Sequence, residues 1–404
     1  MKTICIAGKN SIAVDILLFC IENYKNCKMV CITNRTEKGV NDWQKSLEWF
    51  ARKNNIDIIS LKDIYFIKDL LFLSIEFDQI INPSKFQSEK LYNIHFSLLP
   101  QYKGCHTSVL PILYGEKETG VTLHKIRAGI DTGEIIDQEK IIIEENDSSL
   151  DLYKKLIQAG TKIVIKNLEA LLSGKVTLHQ QSKDKSTYYS LATIDYKNLK
   201  LDTNKTAWEI RNQIRAFSFR PYQLLHWNGN AYIECEITDE ISIYKPGKII
   251  KDVETYTKIA TIDYDIILYK DVLSKLIEAI SSGNNDLAKK LSVSSKVINS
   301  VEEHGWSALT VAVYNNNKLM VDYLINKGLD IHILNNNGTT LLMYAKDTGI
   351  RTGDWSIFYK LLDSGLSIKD TDYSGKHLSD DIDKCNMQKI PDKVKLLLQK
   401  YTVF

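Results

Sequence analysis

Short apolar stretches alternate with segments of helical periodicity along the first hundred residues. The strand-like stretches lie at residues 3–7, 29–33, 56–59, 77–81 and 91–96. Between them, apolar residues at positions 12–24 and 43–53 recur at the spacing of one helix face. Strands that alternate with helices predict a mostly parallel sheet with helices on both faces. The crevice at the carboxyl ends of such strands is the expected ligand site.

The pattern changes twice after this region. Residues 150–172 form a long amphipathic stretch that Ser173 and Gly174 are expected to end. Residues 176–270 are rich in aromatic and β-branched residues, which predicts a small, mainly antiparallel second domain. We therefore place domains at residues 1–200, 201–270 and 271–404.

The last 130 or so residues contain an internal repeat. The segment 305–309 returns as 338–342, 33 residues later, and more weakly at 375–378 after 37. A period of about 33 residues with this internal order is typical of ankyrin repeats, whose usual role is to form an interaction surface. Residues 273–291 are expected to form a leading helix pair, with the extra residues of the last interval near 349–355.

Composition narrows the function classes. A chain of 404 residues is too long for one ordinary hydrophobic core, so more than one domain is expected. Its 44% hydrophobic and 25% charged residues are typical of globular proteins. A formal net charge of +2 gives no global electrostatic case for nucleic-acid binding. The seven scattered cysteines predict neither a disulfide framework nor a metal site, and they fit a reduced, cytoplasmic protein. We find no signal-peptide pattern and no apolar run of about 20 residues that would span a membrane.

The turn after the first strand is Gly8-Lys9-Asn10-Ser11. It lacks the glycine pattern of a dinucleotide site and also the P-loop pattern. Lys9, Asn10 and the amides that begin the next helix can hold a phosphate. An ordinary strand–helix turn explains the same residues equally well.

Three polar residues suited to acyl transfer lie between positions 93 and 131. Asn93 and His95 are two residues apart in a predicted strand, so their side chains share one face. Asp131 stands between two glycines, Gly129 and Gly133, that permit a tight turn. A histidine can accept the proton of an attacking amine, an amide can stabilise the oxyanion, and a carboxylate can orient the histidine. Each residue alone also has a purely structural explanation, and only the combination points to acyl transfer.

The run Asn93-x-His95-x-Ser97-Leu-Leu-Pro100, followed 31 residues later by Asp131-Thr-Gly133, closely resembles the formyltetrahydrofolate-dependent formyltransferase family. That family includes glycinamide ribonucleotide, methionyl-tRNA and nucleotide-sugar formyltransferases. The resemblance covers about residues 1–200. It implies an α/β, Rossmann-like catalytic domain at 1–200, a small mainly β domain at 201–270, and an all-α ankyrin repeat domain at 271–404.

The resemblance also implies roles for individual residues. His95 is expected to be the general base, Asn93 to stabilise the tetrahedral oxyanion, and Asp131 to orient and charge-stabilise His95. The donor is expected to be N10-formyltetrahydrofolate, without a metal. Stretches 71–81 and 121–131 are expected to line its pterin pocket. The expected folate contacts are Ser74, Ile75, Phe77, Leu99, Thr122 and Asp131.

The acceptor implied by the resemblance is a nucleotide-linked amino sugar. Members with a short second domain and an ankyrin segment suggest a dTDP-linked 3-amino-3,6-dideoxyglucose used for surface polysaccharide (lipopolysaccharide O-antigen). Aromatic and basic residues of the second domain would hold the base. The expected substrate contacts are Lys9, Asn10, Ser11, Tyr102, Lys103, Arg220, Tyr222 and Trp227. The aromatics of the second domain also suit its core.

Several alternatives stay open at this point. The acceptor can be a 4-amino sugar nucleotide or methionyl-tRNA, although residues 200–270 mix basic with acidic residues rather than being uniformly basic. A function of a different class is also open, in which the ankyrin repeats bind a partner protein and the attached enzyme domain is inactive. Trp306 marks a second ligand site in the ankyrin segment or simple packing at a repeat junction. A homodimer is compatible with the sequence, and no nucleic-acid or membrane partner is expected.

Overall fold

The computed structural model describes residues 1–380, 382 and 387–399. The strands are β1 (Thr3–Gly8), β2 (Lys28–Thr33), β3 (Asp57–Ile58), β4 (Leu70–Ile75), β5 (Leu91–His95), β6 (Lys103–Gly104), β7 (Glu118–Lys125), β8 (Ile135–Ile142), β9 (Tyr188–Tyr189), β10 (Leu225–Trp227), β11 (Asn230–Ile237), β12 (Ile249–Asp252), β13 (Tyr256–Ile259) and β14 (Ile266–Lys270). The helices are α1 (Asn10–Asn23), α2 (Leu47–Lys53), α3 (Leu61–Ile64), α4 (Leu110–Leu113), α5 (Ser149–Ser173), α6 (Ala207–Phe217), α7 (Leu273–Ser281), α8 (Asn285–Leu291), α9 (Ser295–Ile298), α10 (Ala308–Tyr314), α11 (Lys318–Asn326), α12 (Leu341–Thr352), α13 (Ser356–Asp363) and α14 (Asp392–Gln399).

A seven-stranded mixed sheet forms the centre of the first half of the chain. Its strand order is β3-β2-β1-β4-β5-β7-β8. The pairs from β3 to β5 are parallel, whereas β7 pairs with β5 and β8 in antiparallel fashion. The predicted α/β, Rossmann-like class is confirmed, and the two antiparallel strands at one edge account for the mixed character of the sheet.

The buried strands and the long helix follow from their sequences. Every residue of β1 and β4 is buried, which suits strands with helices on both faces. Helix α5 begins at a capping box in which Ser148 and Asp151 exchange hydrogen bonds, and it ends at Gly174 with φ +74°. The predicted helix at 150–172 and its glycine stop are therefore confirmed.

Two predicted elements differ from the structure. The stretch 77–81 is a loop, and the strand lies earlier, at Leu70–Ile75. That strand is apolar at every position except Ser74, so it lacks the alternation by which half-buried strands are recognised. The helix predicted at 43–53 begins only at Leu47, because the Ser46 hydroxyl accepts a hydrogen bond from the Trp49 amide and caps it there.

Strands β6 and β9 form a small two-stranded sheet, and the later elements form a five-stranded sheet and a helical array. The five-stranded sheet has the order β10-β11-β14-β13-β12, with β12 and β13 antiparallel. The helical array begins with α7 and α8, the pair expected at 273–291. Helix α12 has 12 residues where α10 has 7, so the extra residues predicted near 349–355 extend the inner helix of that repeat.

The chain divides into two compact units. The first comprises residues 1–229, 235–248 and 260–266. The second comprises residues 230–234, 249–259 and 267–404.

Six cysteines within the described residues are free thiols, and Cys385 lies outside those residues. Burial raises the pKa of Cys20 and Cys31 to about 12, so both remain protonated thiols. None of the helices that the structure describes has the length and apolar character needed to cross a bilayer.

Candidate active site

A cavity of about 570 Å³ opens where β4, β5 and β7 meet. Asn93 and His95 lie on its wall with His124 and Asp131. Its size falls in the ordinary range of small-molecule sites. Large apolar side chains also line it while remaining solvent-exposed, which a bound ligand would cover: Ile80 (81% exposed), Leu191 (75%) and Tyr188 (55%).

The imidazole of His95 has a different partner at each ring nitrogen. Nε2 lies 2.8 Å from the carbonyl oxygen of Tyr102, so it carries a proton and donates it there. Nδ1 lies 3.5 Å from Oδ2 of Asp131. In the neutral ring, Nδ1 is therefore the nitrogen with a free lone pair. Burial lowers the pKa of His95, against the opposing effect of the Asp131 charge, so the ring is neutral near pH 7.

Asn93 is held by a second buried histidine. In the antiparallel register between β5 and β7, Asn93 lies opposite His124. Its amide nitrogen lies 3.0 Å from Nε2 of His124, while Nδ1 of His124 lies 2.9 Å from the Lys125 carbonyl oxygen. His124 therefore donates from Nδ1 and accepts from Asn93 at Nε2. One amide N–H of Asn93 is thus fixed, and the other remains for a ligand in the cavity.

Asp131 occupies a constrained loop between β7 and β8. Its φ is +51°, and its Oδ2 accepts a 2.9 Å hydrogen bond from the Gly104 amide. A Cβ at Gly133 would lie 1.7 Å from the Lys125 carbonyl oxygen, so only glycine permits this close return of the loop. Burial alone would raise the pKa of Asp131, but the two imidazoles and the Gly104 amide outweigh burial and lower it to about 2. The carboxylate is therefore ionised at any pH at which the protein works.

A hydrogen-bonded carboxylate, Glu76, lies on the same cavity wall. It follows β4 directly and has φ +52°. Its oxygens accept hydrogen bonds from the Tyr153 hydroxyl at 2.7 and 2.8 Å, and from the Asn10 amide at 3.0 Å. Burial raises the pKa of Glu76, and these hydrogen bonds oppose the rise.

The residues predicted to contact folate divide into two groups. Ser74, Phe77 and Asp131 line the cavity. Ile75, Leu99 and Thr122 are at most 3% exposed and are not on its wall. The Thr122 hydroxyl donates to the Ser97 carbonyl and accepts from the Leu99 amide, which binds the loop after β5 to β7. These three side chains support the cavity from behind in this structure.

The residues of the first turn that are predicted to contact the substrate also have different environments. Lys9 lines the cavity. The amide nitrogen of Asn10 is used by both Glu76 and Tyr153. The Ser11 backbone N–H donates to the Gln44 side chain at 2.9 Å, in the place where a phosphate oxygen was expected. Of this turn, Lys9 alone lines the cavity.

The other predicted sugar-nucleotide contacts do not line the cavity. Tyr102 is 8% exposed; its ring stacks on Tyr189 and its hydroxyl donates to Glu116 at 2.7 Å. Lys103 precedes Gly104, which lines the cavity, and its charge acts on His95. Arg220, Tyr222 and Trp227 are not on the cavity wall.

Tyr222 nevertheless belongs to an aromatic cluster that reaches the cavity. Its ring is 61% exposed, stacks on Phe219 and contacts the Trp43 ring edge-on. Trp43 contacts Tyr153, whose hydroxyl binds the cavity residue Glu76. The structure thus connects Tyr222 to the site through packed rings.

In the ankyrin segment, Trp306 contacts two tyrosines. Its ring lies 5.2 Å from each of the rings of Tyr314 and Tyr344. The Trp306 side chain is partly exposed. Packing at a repeat junction is therefore observed, and a ligand role remains a prediction.

His124, Glu76 and Tyr153 were not identified from the sequence. Glu76 carried a usable signal, since a charged residue directly after a mostly apolar strand points to the carboxyl edge of a sheet. His124 required knowledge that β7 pairs with β5 in antiparallel register, which no local pattern shows.

Comparisons with known protein families agree with this geometry. The formyl transferase family matches residues 72–168, a range that contains Asn93, His95, His124 and Asp131. An ankyrin family of three repeat copies matches residues 276–372. A methionyl-tRNA formyltransferase from Coxiella burnetii is 26% identical over 264 residues, which are 61% of this chain and 83% of the relative.

Two solved structures are more similar. WlaRD, a sugar 3N-formyl transferase determined in the presence of dTDP and 5-N-formyl-THF, is 44% identical with a TM-score of 0.63. The match covers 67% of this chain and 98% of that one. An N-formyltransferase from Helicobacter canadensis, in complex with folinic acid and dTDP-3-aminofucose, is 41% identical with a TM-score of 0.63, covering 67% of this chain and all (100%) of that one.

Proposed function

Because the chain belongs to the formyltransferase family, we propose that it transfers a formyl group from N10-formyltetrahydrofolate to the amine of a dTDP-linked amino-dideoxy sugar. The favoured acceptor is 3-amino-3,6-dideoxyglucose. The observation that carries the proposal is the convergence of Asn93, His95 and Asp131 on one cavity in a chain 44% identical to a sugar 3N-formyl transferase.

His95 acts as the general base. Its Nε2–H is committed to the Tyr102 carbonyl, so Nδ1 accepts the proton that the amine loses as the carbon–nitrogen bond forms. The imidazolium that results lies 3.5 Å from the Asp131 carboxylate, which stabilises it. His95 then returns the proton to the departing nitrogen of the donor.

Asn93 stabilises the oxyanion of the tetrahedral intermediate. One N–H of its amide donates to Nε2 of His124 at 3.0 Å. This bond fixes the plane of the amide and therefore the direction of the second N–H. A pre-positioned donor gains most in a site that excludes water, because no reorganisation accompanies the appearance of charge. The direct attack of the amine requires no serine or cysteine nucleophile.

The cavity suits a folate donor. Phe77, Ile81 and Ile126 offer apolar wall to a flat ring system, and the exposed Ile80 and Leu191 lie at positions that a bound aromatic ring would cover. The two similar structures contain 5-N-formyl-THF and folinic acid, respectively. When bound, the donor supplies the formyl carbonyl carbon that the amine attacks.

The acceptor assignment rests on the same two neighbours. One was determined with dTDP and the other with dTDP-3-aminofucose, so a 3-amino sugar is favoured over a 4-amino sugar. We assign Lys9 to the diphosphate, since it is a basic residue on the cavity wall, and Tyr222 to the base, since it is an exposed member of the aromatic cluster. By the same resemblance, the product would enter surface polysaccharide (O-antigen) synthesis in the cytoplasm.

A panel of acceptors tests this assignment. The protein is incubated with N10-formyltetrahydrofolate and, separately, with dTDP- and UDP-linked 3-amino and 4-amino sugars and with methionyl-tRNA. Mass spectrometry should show the gain of one formyl group on a dTDP-linked 3-amino sugar. Transfer to methionyl-tRNA alone would contradict the proposal, and transfer to no acceptor would favour a binding module with an inactive enzyme domain.

A further inference from the structure

Glu76 is a carboxylate on the cavity wall whose protein partners are all neutral. The Tyr153 hydroxyl and the Asn10 amide donate to it. Among the residues that the structure describes, no lysine, arginine or histidine nitrogen lies within ion-pair distance of its oxygens. A sequestered carboxylate without a cation is unfavourable, because neutral donors replace only part of its hydration.

The other cavity carboxylate has a different environment. Asp131 lies 3.5 Å from His95 and 3.6 Å from His124, and it accepts from the Gly104 amide. Asp131 therefore gains a cationic partner within the protein when His95 takes up the proton of the reaction. Glu76 has no such partner among its hydrogen-bonded neighbours. Two basic residues share this wall: Arg127 pairs with Glu134, and Lys9 acts on Glu76 only at longer range and is assigned to the diphosphate.

Glu76 is also placed next to the reacting centre. Strands β4 and β5 are parallel neighbours in which Ser74 pairs with Asn93 and Ile75 pairs with Ile94. Glu76 follows Ile75 directly and His95 follows Ile94, so both residues come at the carboxyl ends of these two neighbouring strands. Both residues line the cavity. A cation held by Glu76 would thus lie near the base.

We propose that Glu76 binds the acceptor amine in its ammonium form. This inference rests on the proposed function, because it identifies the amino sugar as the missing cation. An amine of ordinary pKa is largely protonated at neutral pH, so the ammonium is the form that the site meets in solution. The bound ammonium releases one proton to water, the neutral amine attacks the formyl carbon, and His95 accepts the second proton as the new bond forms.

Equilibrium binding to the full-length protein tests this subsite without turnover. Isothermal titration compares dTDP-3-amino-3,6-dideoxyglucose with dTDP-6-deoxyglucose, which carries a hydroxyl in place of the amine. We expect wild type to bind the amino sugar about 10- to 100-fold more tightly, the factor that corresponds to one charge-assisted hydrogen bond. Glu76→Gln should lose most of this preference, and Glu76→Asp should retain part of it because the charge remains.

Glu89→Gln is the matched control, because it removes the same charge from a side chain that is 92% exposed and outside the cavity. It should keep the wild-type preference. Equal affinity of the two sugars for wild type would overturn the ammonium subsite whether or not the variants fold, as would an unchanged preference in folded Glu76→Gln. If wild type binds neither sugar, the proposed function itself fails.

Discussion

The two ring nitrogens of His95 are not equivalent, and this determines which atom performs the chemistry. Nε2 is committed to a backbone carbonyl 2.8 Å away, and backbone carbonyls do not exchange partners as readily as side chains. The proton-accepting atom is therefore Nδ1, which faces Asp131. A substitution at this position removes the base while leaving the surrounding sheet in place.

We predict that His95→Asn lowers kcat by about 10²–10⁴-fold, the usual contribution of general-base catalysis. Steady-state kinetics with a dTDP-linked 3-amino sugar measures the loss, and thermal unfolding checks that the fold is intact. His179→Asn, on an exposed side chain, is the control and should behave as wild type. Near-normal turnover of His95→Asn would exclude the assigned base.

The pH dependence of kcat/KM should carry the signature of the His95–Asp131 pair. His95 works in its neutral form, and burial lowers its pKa, so activity should persist below the ordinary imidazole range and fall as pH drops through that lowered pKa. Asp131, with a pKa of about 2, stays ionised over this window and supports the imidazolium.

Asp131→Asn removes that support. It should lower the pKa of His95 further, and the acidic limb of the residual activity should therefore move to lower pH. A limb caused by protonation of the amine substrate would not move. Measurement of kcat/KM from pH 4 to 9 in both proteins decides the matter, and a limb that moves to higher pH in Asp131→Asn would contradict the assigned electrostatics.

At the scale of secondary-structure elements, the site depends on one change of strand direction. The parallel strands bring Glu76, Asn93 and His95 to a common edge, as the alternating pattern predicted for Asn93 and His95. The antiparallel β7 then returns past β5, so that His124 lies opposite Asn93 and the following loop presents Asp131. The alternation of side chains along a single strand can be predicted from the sequence. The register and direction of strand pairing cannot, because they depend on contacts between distant segments.

The dependence of strand pairing on distant segments also explains why the strand predicted at 77–81 is wrong. The apolar residues of the stretch 77–81 predict a strand, but the stretch forms the loop that carries Phe77, Ile80 and Ile81 to the cavity. Its apolar content serves the site rather than the sheet. By contrast, α5 was correctly predicted, because a capped 25-residue amphipathic helix contains many local signals that agree.

The loop after β7 offers an element-scale prediction. Gly133→Ala should force the loop away from Lys125, since the new Cβ would meet a carbonyl oxygen at 1.7 Å. Displacement of Asp131 should then reduce kcat by about 10²-fold, by analogy with other mispositioned catalytic groups. Gly229→Ala is the control, because its Cβ would meet no atom within 4 Å; its φ of +76° makes an alanine strained there, so this variant should lose some stability but keep its kcat. Wild-type kcat in Gly133→Ala would show that the loop does not position Asp131.

At the scale of the whole molecule, the ankyrin repeats share a compact unit with parts of the five-stranded sheet. Residues 230–234 and 249–259 belong to that unit. Within it, Ser294 donates to Glu234 at 2.5 Å and Lys275 pairs with Glu254 at 2.8 Å. Truncation near residue 270 would keep Asn93, His95 and Asp131 in the chain but expose these partners. We expect such a protein to be markedly less soluble, as measured by its soluble fraction on expression; undiminished solubility would contradict this expectation.

Trp306 tests whether the repeats also bind a ligand. If its partly exposed ring stacks on a nucleotide, titration of wild type with the dTDP-sugar should show two sites per chain, and Trp306→Ala should show one. Loss of one stacking contact corresponds to about 1–3 kcal/mol. One site of unchanged affinity in both proteins would leave Trp306 as a packing residue between Tyr314 and Tyr344.

The most direct test of the central claim follows the formyl carbon itself. The full-length protein is mixed with N10-formyltetrahydrofolate labelled with carbon-13 in the formyl group and with dTDP-3-amino-3,6-dideoxyglucose, and the carbon is tracked by NMR. The account predicts that the label appears in a formamide on the sugar nitrogen, with tetrahydrofolate as the second product. Release of the label as free formate, with the sugar amine unchanged, would contradict it, because water rather than the amine would then be the acceptor.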